Sequence, residues 1–353
     1  MIYNVILILI IICLRSIVLS QRNGTVRVKM EQRYSTVAWA LIVLMAALRK
    51  PIVDTDVWGY MREYINMFNT DLLDVLNEER TRDYVGYYFT SKLFSLLGLS
   101  YHWWFGFLEA FYSFSLAKLV NRFSNDKLYS ILVFVTIGLF GFSLAGLKQV
   151  MSMSLMMLAF LCYIDKKFLQ SVLFIIYAYF CHPVSLVFFV AFPLYSLRTK
   201  NYYITLVVVA AVILLVFSRL FLVLGASSAS EHFQMYLEDS GTYTYVAFIF
   251  YVVIIAMASL GLNKYLTARR DEGKMVFVFS LLTCVIQLFA GISPNLFRLA
   301  FFFSPFMMIY LPNSTQYISG NKSIVRLAII FSIVFFYLYT LRNSAYPYSF
   351  FWQ

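Results

Sequence analysis

Asp54 and Asp56 stand one residue apart in the segment Ala47 to Tyr60, just after Arg49 and Lys50. Two acids that close can hold a divalent metal, orient a sugar hydroxyl or take its proton. Aspartate is also a favoured helix N-cap, and Pro51 discourages helix through this point. Lys148, followed by Gln149, begins an apolar run. A cation beside the free N–H groups of a helix start suits phosphate, although a lysine at a membrane surface also snorkels for its own hydration. His182-Pro183 divides a long apolar stretch in two, and an imidazole at such a break can donate to phosphate, act as a base near neutral pH, or hold a turn. Arg298 offers a planar fork for phosphate or carboxylate, or an ion pair with Glu109; Arg219 is a second cation of the same kind. Glu231 and His232 fit a solvated loop face as readily as a site.

The elements that position these residues are set by composition. The chain has 353 residues, 61% of them hydrophobic and only 13% charged, with a mean hydropathy of +0.77. A soluble domain carries about a quarter charged residues, so the surroundings of this chain are lipid. The fold expected is all-α, a polytopic membrane protein in a single integral domain over 1–353. Apolar runs at 2–19, 34–48, 101–120, 128–145, 150–164 and 168–181 are candidate spans. Others follow at 183–197, 202–224, 243–262, 275–292, 296–311 and 324–341. That makes about twelve transmembrane helices, several of them short for a bilayer core of about 30 Å.

The segment 84–100 could be a further span or a helix lying at the interface, and charge decides between them. With it at the interface, 18 of the 28 lysines and arginines fall in loops on one side, and only 5 of the 17 acids do. The positive-inside rule then makes that side cytoplasmic and puts both termini outside. If 84–100 spans, every later loop inverts and the rule fails repeatedly. Two hydrophilic stretches therefore face outward: a large loop within 49–100 that includes the interfacial helix, and a second loop at 225–242. Arg49, Asp54, Asp56, Lys148, Gln149, His182, Arg219 and Arg298 all come to the outer surface, a bias that scattered structural charges would lack.

Several classes of function are excluded. The net charge of +11 lies in short loops and makes no basic face, so nucleic acid is not a partner. Cys13, Cys162, Cys181 and Cys284 sit inside apolar runs at spacings that suit neither zinc nor disulfides, and are expected to pack as small buried hydrophobes. No Walker, HExxH or GxSxG motif is present, which argues against nucleotide-driven and zinc-peptidase chemistry. The first apolar run has no basic residue before it, unlike a cleaved signal peptide.

Taken in order, these motifs resemble the EpsG-like family of Wzy-type polysaccharide polymerases, which act in O-antigen and capsule assembly. Family members show Gly-Leu-Arg ending an early span and then Asp-x-x-x-Tyr; here Ala47-Leu48-Arg49 is followed by Asp56 and Tyr60. A Gly- and Tyr-rich entry to an apolar helix is similar to Arg82–Phe94, and Gly146-Leu147-Lys148-Gln149 stands for the family's Gly-Leu-Arg-Gln. A His-x-x-Ser/Ala break looks like His182 to Ser185, and a late Arg-x-x-x-Phe/Tyr like Arg298 to Phe302. Lys148 replaces the common arginine, keeping charge but losing the fork.

The resemblance implies a glycosyltransferase of the bacterial inner membrane that faces the periplasm or cell exterior. It would join repeat units carried on undecaprenyl pyrophosphate, beside a flippase and a chain-length regulator. No cofactor is expected and no residue is assigned to a metal; no nucleotide is needed, because pyrophosphate already leaves readily. Arg49, Lys148 and Arg298, with Arg219 and Gln149, would hold the pyrophosphate, and Tyr60 the sugar. Asp54, Asp56 or His182 would hold or deprotonate the acceptor. The competing readings are a lipid-linked glycan flippase or transporter, an O-antigen ligase or related glycosyltransferase, and a sugar acyltransferase. A transporter calls for a polar path through the membrane and repeat symmetry, whereas the ionisable residues here favour one surface, with Glu109 the one deep acid.

Overall fold

A computed structural model describes residues 2–52, 55–216, 246–288, 297–342 and 348–352. Asp54, Arg219, Glu231, His232 and the whole of the 225–242 loop lie outside the described residues. The chain divides into two compact units, Met1–Leu186 with Val334–Gln353, and Val187–Ile333. Among the described residues the regular structure is helical, apart from one isolated bridge between Arg49 and Phe350.

The first unit begins with α1 (Ile2–Ser20) and α2 (Gly24–Ala47). Asn23 caps α2, its side chain accepting from the N–H groups of Thr25 and Val26 at 3.1 and 3.2 Å. Four shorter pieces follow: α3 (Asp56–Asn66), α4 (Leu72–Asn77), a 3-10 segment Glu79–Tyr84, and α5 (Val85–Ser95). The long α6 (Tyr101–Phe123) leads to α7 (Lys127–Thr136) and α8 (Leu139–Ala145), which meet at a bend of 59°. Then come α9 (Leu147–Ile164) and α10 (Phe168–Cys181).

Helix α9 is the core of this unit, buried without a break from Gln149 to Leu161. A helix with no exposed face must satisfy its own polar groups. Ser152 and Ser154 do so by donating to the carbonyls of Gln149 and Val150, both at 2.8 Å. Around it, α1 and α10 are apolar on both faces: Leu7, Ile8 and Ile11 of α1 are buried while Ile2, Ile6 and Leu9 are exposed, and Leu169 and Leu173 of α10 are exposed too. Water would disfavour such a surface and lipid would not.

The second unit holds α11 (Ala191–Leu197), α12 (Tyr203–Val216), α13 (Val246–Ala258), α14 (Leu262–Gln287), α15 (Phe297–Ala300) and α16 (Met307–Ser314). Its core is aromatic: Phe306 stacks edge-on against Phe279 at 4.7 Å, and Phe303 approaches Phe188 at 5.3 Å. Helix α17 (Lys322–Arg342) closes the series.

The all-α membrane architecture is as the sequence indicates. The expected count of about twelve is not confirmed: among the described residues four helices are long and apolar enough to cross, or five if α7 and α8 form one bent span, and the runs at 202–224, 243–262, 275–292 and 296–311 reach outside those residues. Other expected spans are short or carry charge. The 14-residue α10 stops at the His182-Pro183 break, and α6 carries Glu109, Lys118 and Arg122 within its length. Helix α5, in the 84–100 segment that is not among the twelve, has eleven residues, about 16 Å of helix, too short to span alone. Two of the cysteines depart from expectation, since Cys13 is exposed on α1 and Cys162 only half-buried.

Candidate active site

Three connections bring the chemistry-bearing residues of the first unit to one end. Helix α6 meets the end of α2 so closely that a Cβ on Gly106 would lie 2.9 Å from the Ala47 methyl. Nδ1 of His102 faces the Ala47 carbonyl at 2.9 Å, and Phe105 lies beneath the Arg49 guanidinium at 4.6 Å from its centroid. Helix α5 approaches the end of α10 with equal closeness: a Cβ on Gly86 would meet the Phe180 carbonyl carbon at 3.0 Å. The third connection is the segment Tyr348–Trp352. Lys50 N–H donates to Ser349 O at 2.9 Å, Phe351 N–H to Leu48 O at 3.0 Å, and Tyr348 Oη to Met45 O at 2.7 Å.

Arg49 is thus enclosed on several sides and only 4% exposed. Its Nε and Nη2 have no hydrogen-bond partner among the described residues. Burial draws its pKa down to about 10, a fall opposed by Glu109, then Tyr348 and Tyr87, so the group stays a cation at neutral pH. Glu109 therefore has Arg49 as its electrostatic partner, where sequence reasoning suggested Arg298. A cavity of about 470 Å³ opens beside Arg49, lined also by Asn4, Lys50, Thr55, Asp56 and Tyr348. Asn4 is 3% exposed and its side-chain oxygen has no hydrogen-bond partner among the described residues. Arg49 and Asn4 both line this cavity, and the unmet polar atoms they bury beside it carry an energetic cost. Thr55 is the N-cap of α3, its Oγ1 accepting from Trp58 N–H at 3.4 Å, and Asp56, in the first turn, is among the residues lining the cavity.

Lys148, at the start of α9, sits among four tyrosines. Its ammonium lies 4.5 Å from the ring centre of Tyr88, 4.7 Å from Tyr84, 5.3 Å from Tyr60 and 5.8 Å from Tyr87. It donates to Tyr88 Oη at 2.6 Å, and Tyr88 in turn donates to Glu63 Oε2 at 3.0 Å. Lys148 is itself 3.9 Å from that carboxylate oxygen. Burial and then Glu63 raise the Tyr88 pKa, so Tyr88 remains a phenol able to accept from Lys148 and donate to Glu63 together. Tyr87 feels both Glu63 and Arg49, which ties the Lys148 cluster to the Arg49 cavity. His182 caps α10 with extended backbone, its ring 5.3 Å from Tyr84. Gln149 is buried in α9 next to Lys148.

Of the residues singled out in the sequence, Arg49, Asp56, Tyr60, Lys148, Gln149 and His182 belong to this end of the first unit. Arg298 lies in the second unit, in the last turn of the short α15. The family model of the EpsG family matches residues 32–350. The chain belongs to the EpsG family. An EpsG-family chain of this composition is a membrane protein of polysaccharide biosynthesis. No curated protein and no solved structure matches it.

Residues that sequence reasoning passed over complete this candidate site. Glu63 is one, although Asp56, Tyr60 and Glu63 are spaced four and three apart, the spacing of one helix face. Tyr84, Tyr87 and Tyr88 are others: the Arg82–Phe94 motif contains them, but nothing in the sequence gives their rings a role. Asn4 and the segment Tyr348–Trp352 had no local signal at all, because their part depends on contacts some 300 residues away in the chain, such as Tyr348 with Met45, 303 residues apart.

Proposed function

We propose that this protein is a polymerase of a bacterial surface polysaccharide, either O-antigen or capsule. On this reading it joins repeat units carried on undecaprenyl pyrophosphate at the outer face of the cytoplasmic membrane. The observation that carries the reading is Arg49: a buried cation with two unmet guanidinium nitrogens beside a cavity of about 470 Å³, next to a caged Lys148. Donors fixed before the substrate arrives stabilise developing negative charge without reorganisation, which is what departure of a lipid pyrophosphate demands. Arg49 holds the pyrophosphate, with Lys50 lining the same cavity. Lys148 adds a second positive charge, held in place by tyrosine faces and so placed to favour the leaving group. Arg298 keeps the phosphate-binding role that family resemblance gives it, and Arg219 the same in reserve.

The acceptor sugar's hydroxyl attacks the anomeric carbon as the bond to the pyrophosphate oxygen breaks. Its proton goes to a carboxylate or imidazole, for which Asp54, Asp56 and His182 are the candidates drawn from sequence. Tyrosine rings such as Tyr60 offer apolar faces for sugar C–H groups.

Replacing Arg49 or Lys148 by alanine in producing cells tests the reading. The expected result is loss of the polymer ladder, with single repeat units accumulating and the protein at its normal level. Full-length polymer from both variants would reject it.

A further inference from the structure

A second cavity borders the Lys148 cluster, and phosphate chemistry has no use for it. It measures about 320 Å³ and is lined by Glu63, Asn66, Asn69, Thr70, Glu78 and Tyr88, among others. Its walls are preformed. Lys92 Nζ donates to Met67 O at 2.6 Å, Tyr64 Oη to Leu99 O at 2.9 Å, and Thr81 Oγ1 to Val75 O at 2.8 Å. These bonds tie α3 and the turns after α3 and α4 to neighbouring elements, and all three donors, Lys92, Tyr64 and Thr81, belong to buried residues.

The lining chemistry selects the ligand. Two carboxylates and no cation repel phosphate, whereas carboxylates, amides and hydroxyls together match the mixed donors and acceptors of a polyhydroxylated sugar. Glu63 stands where this cavity meets the Lys148 cluster, held there by the phenol of Tyr88. We propose that the cavity is the subsite for the acceptor saccharide and that Glu63 is the catalytic carboxylate that receives its proton. The assignment rests on the polymerase reading and deepens it. The acceptor oxygen bonds to the donor's anomeric carbon, the bond from that carbon to pyrophosphate breaks, and the electron pair leaves with the lipid pyrophosphate. The acceptor's proton passes to Glu63 and from there to water.

The probe is the repeat-unit oligosaccharide, freed from lipid and pyrophosphate by mild acid and added to the purified full chain in lipid nanodiscs. Saturation-transfer NMR reads its binding. Asn66→Ala and Asn69→Ala, both at exposed positions, should each weaken saccharide binding about tenfold, the scale of one lost hydrogen bond. Arg122→Ala, at the far end of the unit, should leave it unchanged. Glu63→Gln should retain the saccharide and slow polymerisation about 100-fold or more, the scale of general-base loss. Saccharide affinity unchanged in both asparagine variants, or no binding by the unmodified protein, would overturn the subsite. Normal polymer from Glu63→Gln would overturn the role of Glu63. None of these outcomes touches the polymerase reading, which the Arg49 and Lys148 variants judge separately.

Discussion

Charge is handled in two different ways at the two ends of the first unit. Helix α9 runs from Lys148 to Asp165, its C-cap, about 26 Å of helix between the ends. At the Asp165 end every named charge has a protein partner. Arg15 grips Asp126 through Nε and Nη2, the latter at 2.7 Å, and Asp126 caps α7 through Tyr129 N–H at 3.0 Å. Glu31 accepts from Lys127 N–H at 2.7 Å, and Arg122 pairs with Asp165. At the Lys148 end Arg49 keeps unmet donors, and the partners of Lys148 are mostly ring faces. The first arrangement ties loops together and asks for nothing more. The second leaves two guanidinium nitrogens of Arg49 without a partner among the described residues, and that difference, more than the number of charges, marks it as the candidate site.

The comparison can be broken experimentally. The largest effect expected is from Arg49→Ala, which should lower polymer output by about 100-fold or more, the scale of removing one preorganised charge donor. Normal protein level on an immunoblot would separate this from misfolding. Lys148→Arg should reduce output about tenfold despite restoring the family's usual residue. A planar guanidinium needs room that Tyr60, Tyr84, Tyr87 and Tyr88 fill, and the loss is of the order of a weakened cation–π enclosure. Pairing Lys148→Arg with Tyr84→Ala should recover part of the activity.

Arg15→Ala should act in the opposite sense: a stability loss of about 2 kcal/mol, the scale of charged hydrogen bonds, with activity per folded molecule unchanged. Thermal unfolding in detergent and polymer output normalised to folded protein would show it. A loss of specific activity there would erase the contrast between the two ends. Arg122→Ala is the smallest, within about 1 kcal/mol, because both partners of that pair are about 40% exposed, at 36% and 42%.

Much of this contrast could be read from sequence. The positive-inside count separated Arg49, Lys148 and His182 from Arg15, Arg122 and Lys127, and the first unit keeps them apart at opposite helix ends. Runs of apolar residues made the helical class unmistakable. Span counting is less direct, because hydropathy does not show the bend that divides the 128–145 run into α7 and α8. The tyrosine cage was invisible for a related reason: aromatics make up 19% of the chain, so four more attract no notice until α3, α5 and α9 bring them around one ammonium. Glu63 was legible in principle, from its helical register with Asp56 and Tyr60, but one acid in an acid-rich loop carries no signal of its own.

The pairing of Leu48–Lys50 with Ser349–Phe351 has a consequence for folding. The walls around Arg49 are shared between residues about 300 positions apart in the chain. Contacts that distant in sequence form late, so the enclosure of the buried arginine would be among the last parts of the first unit to assemble.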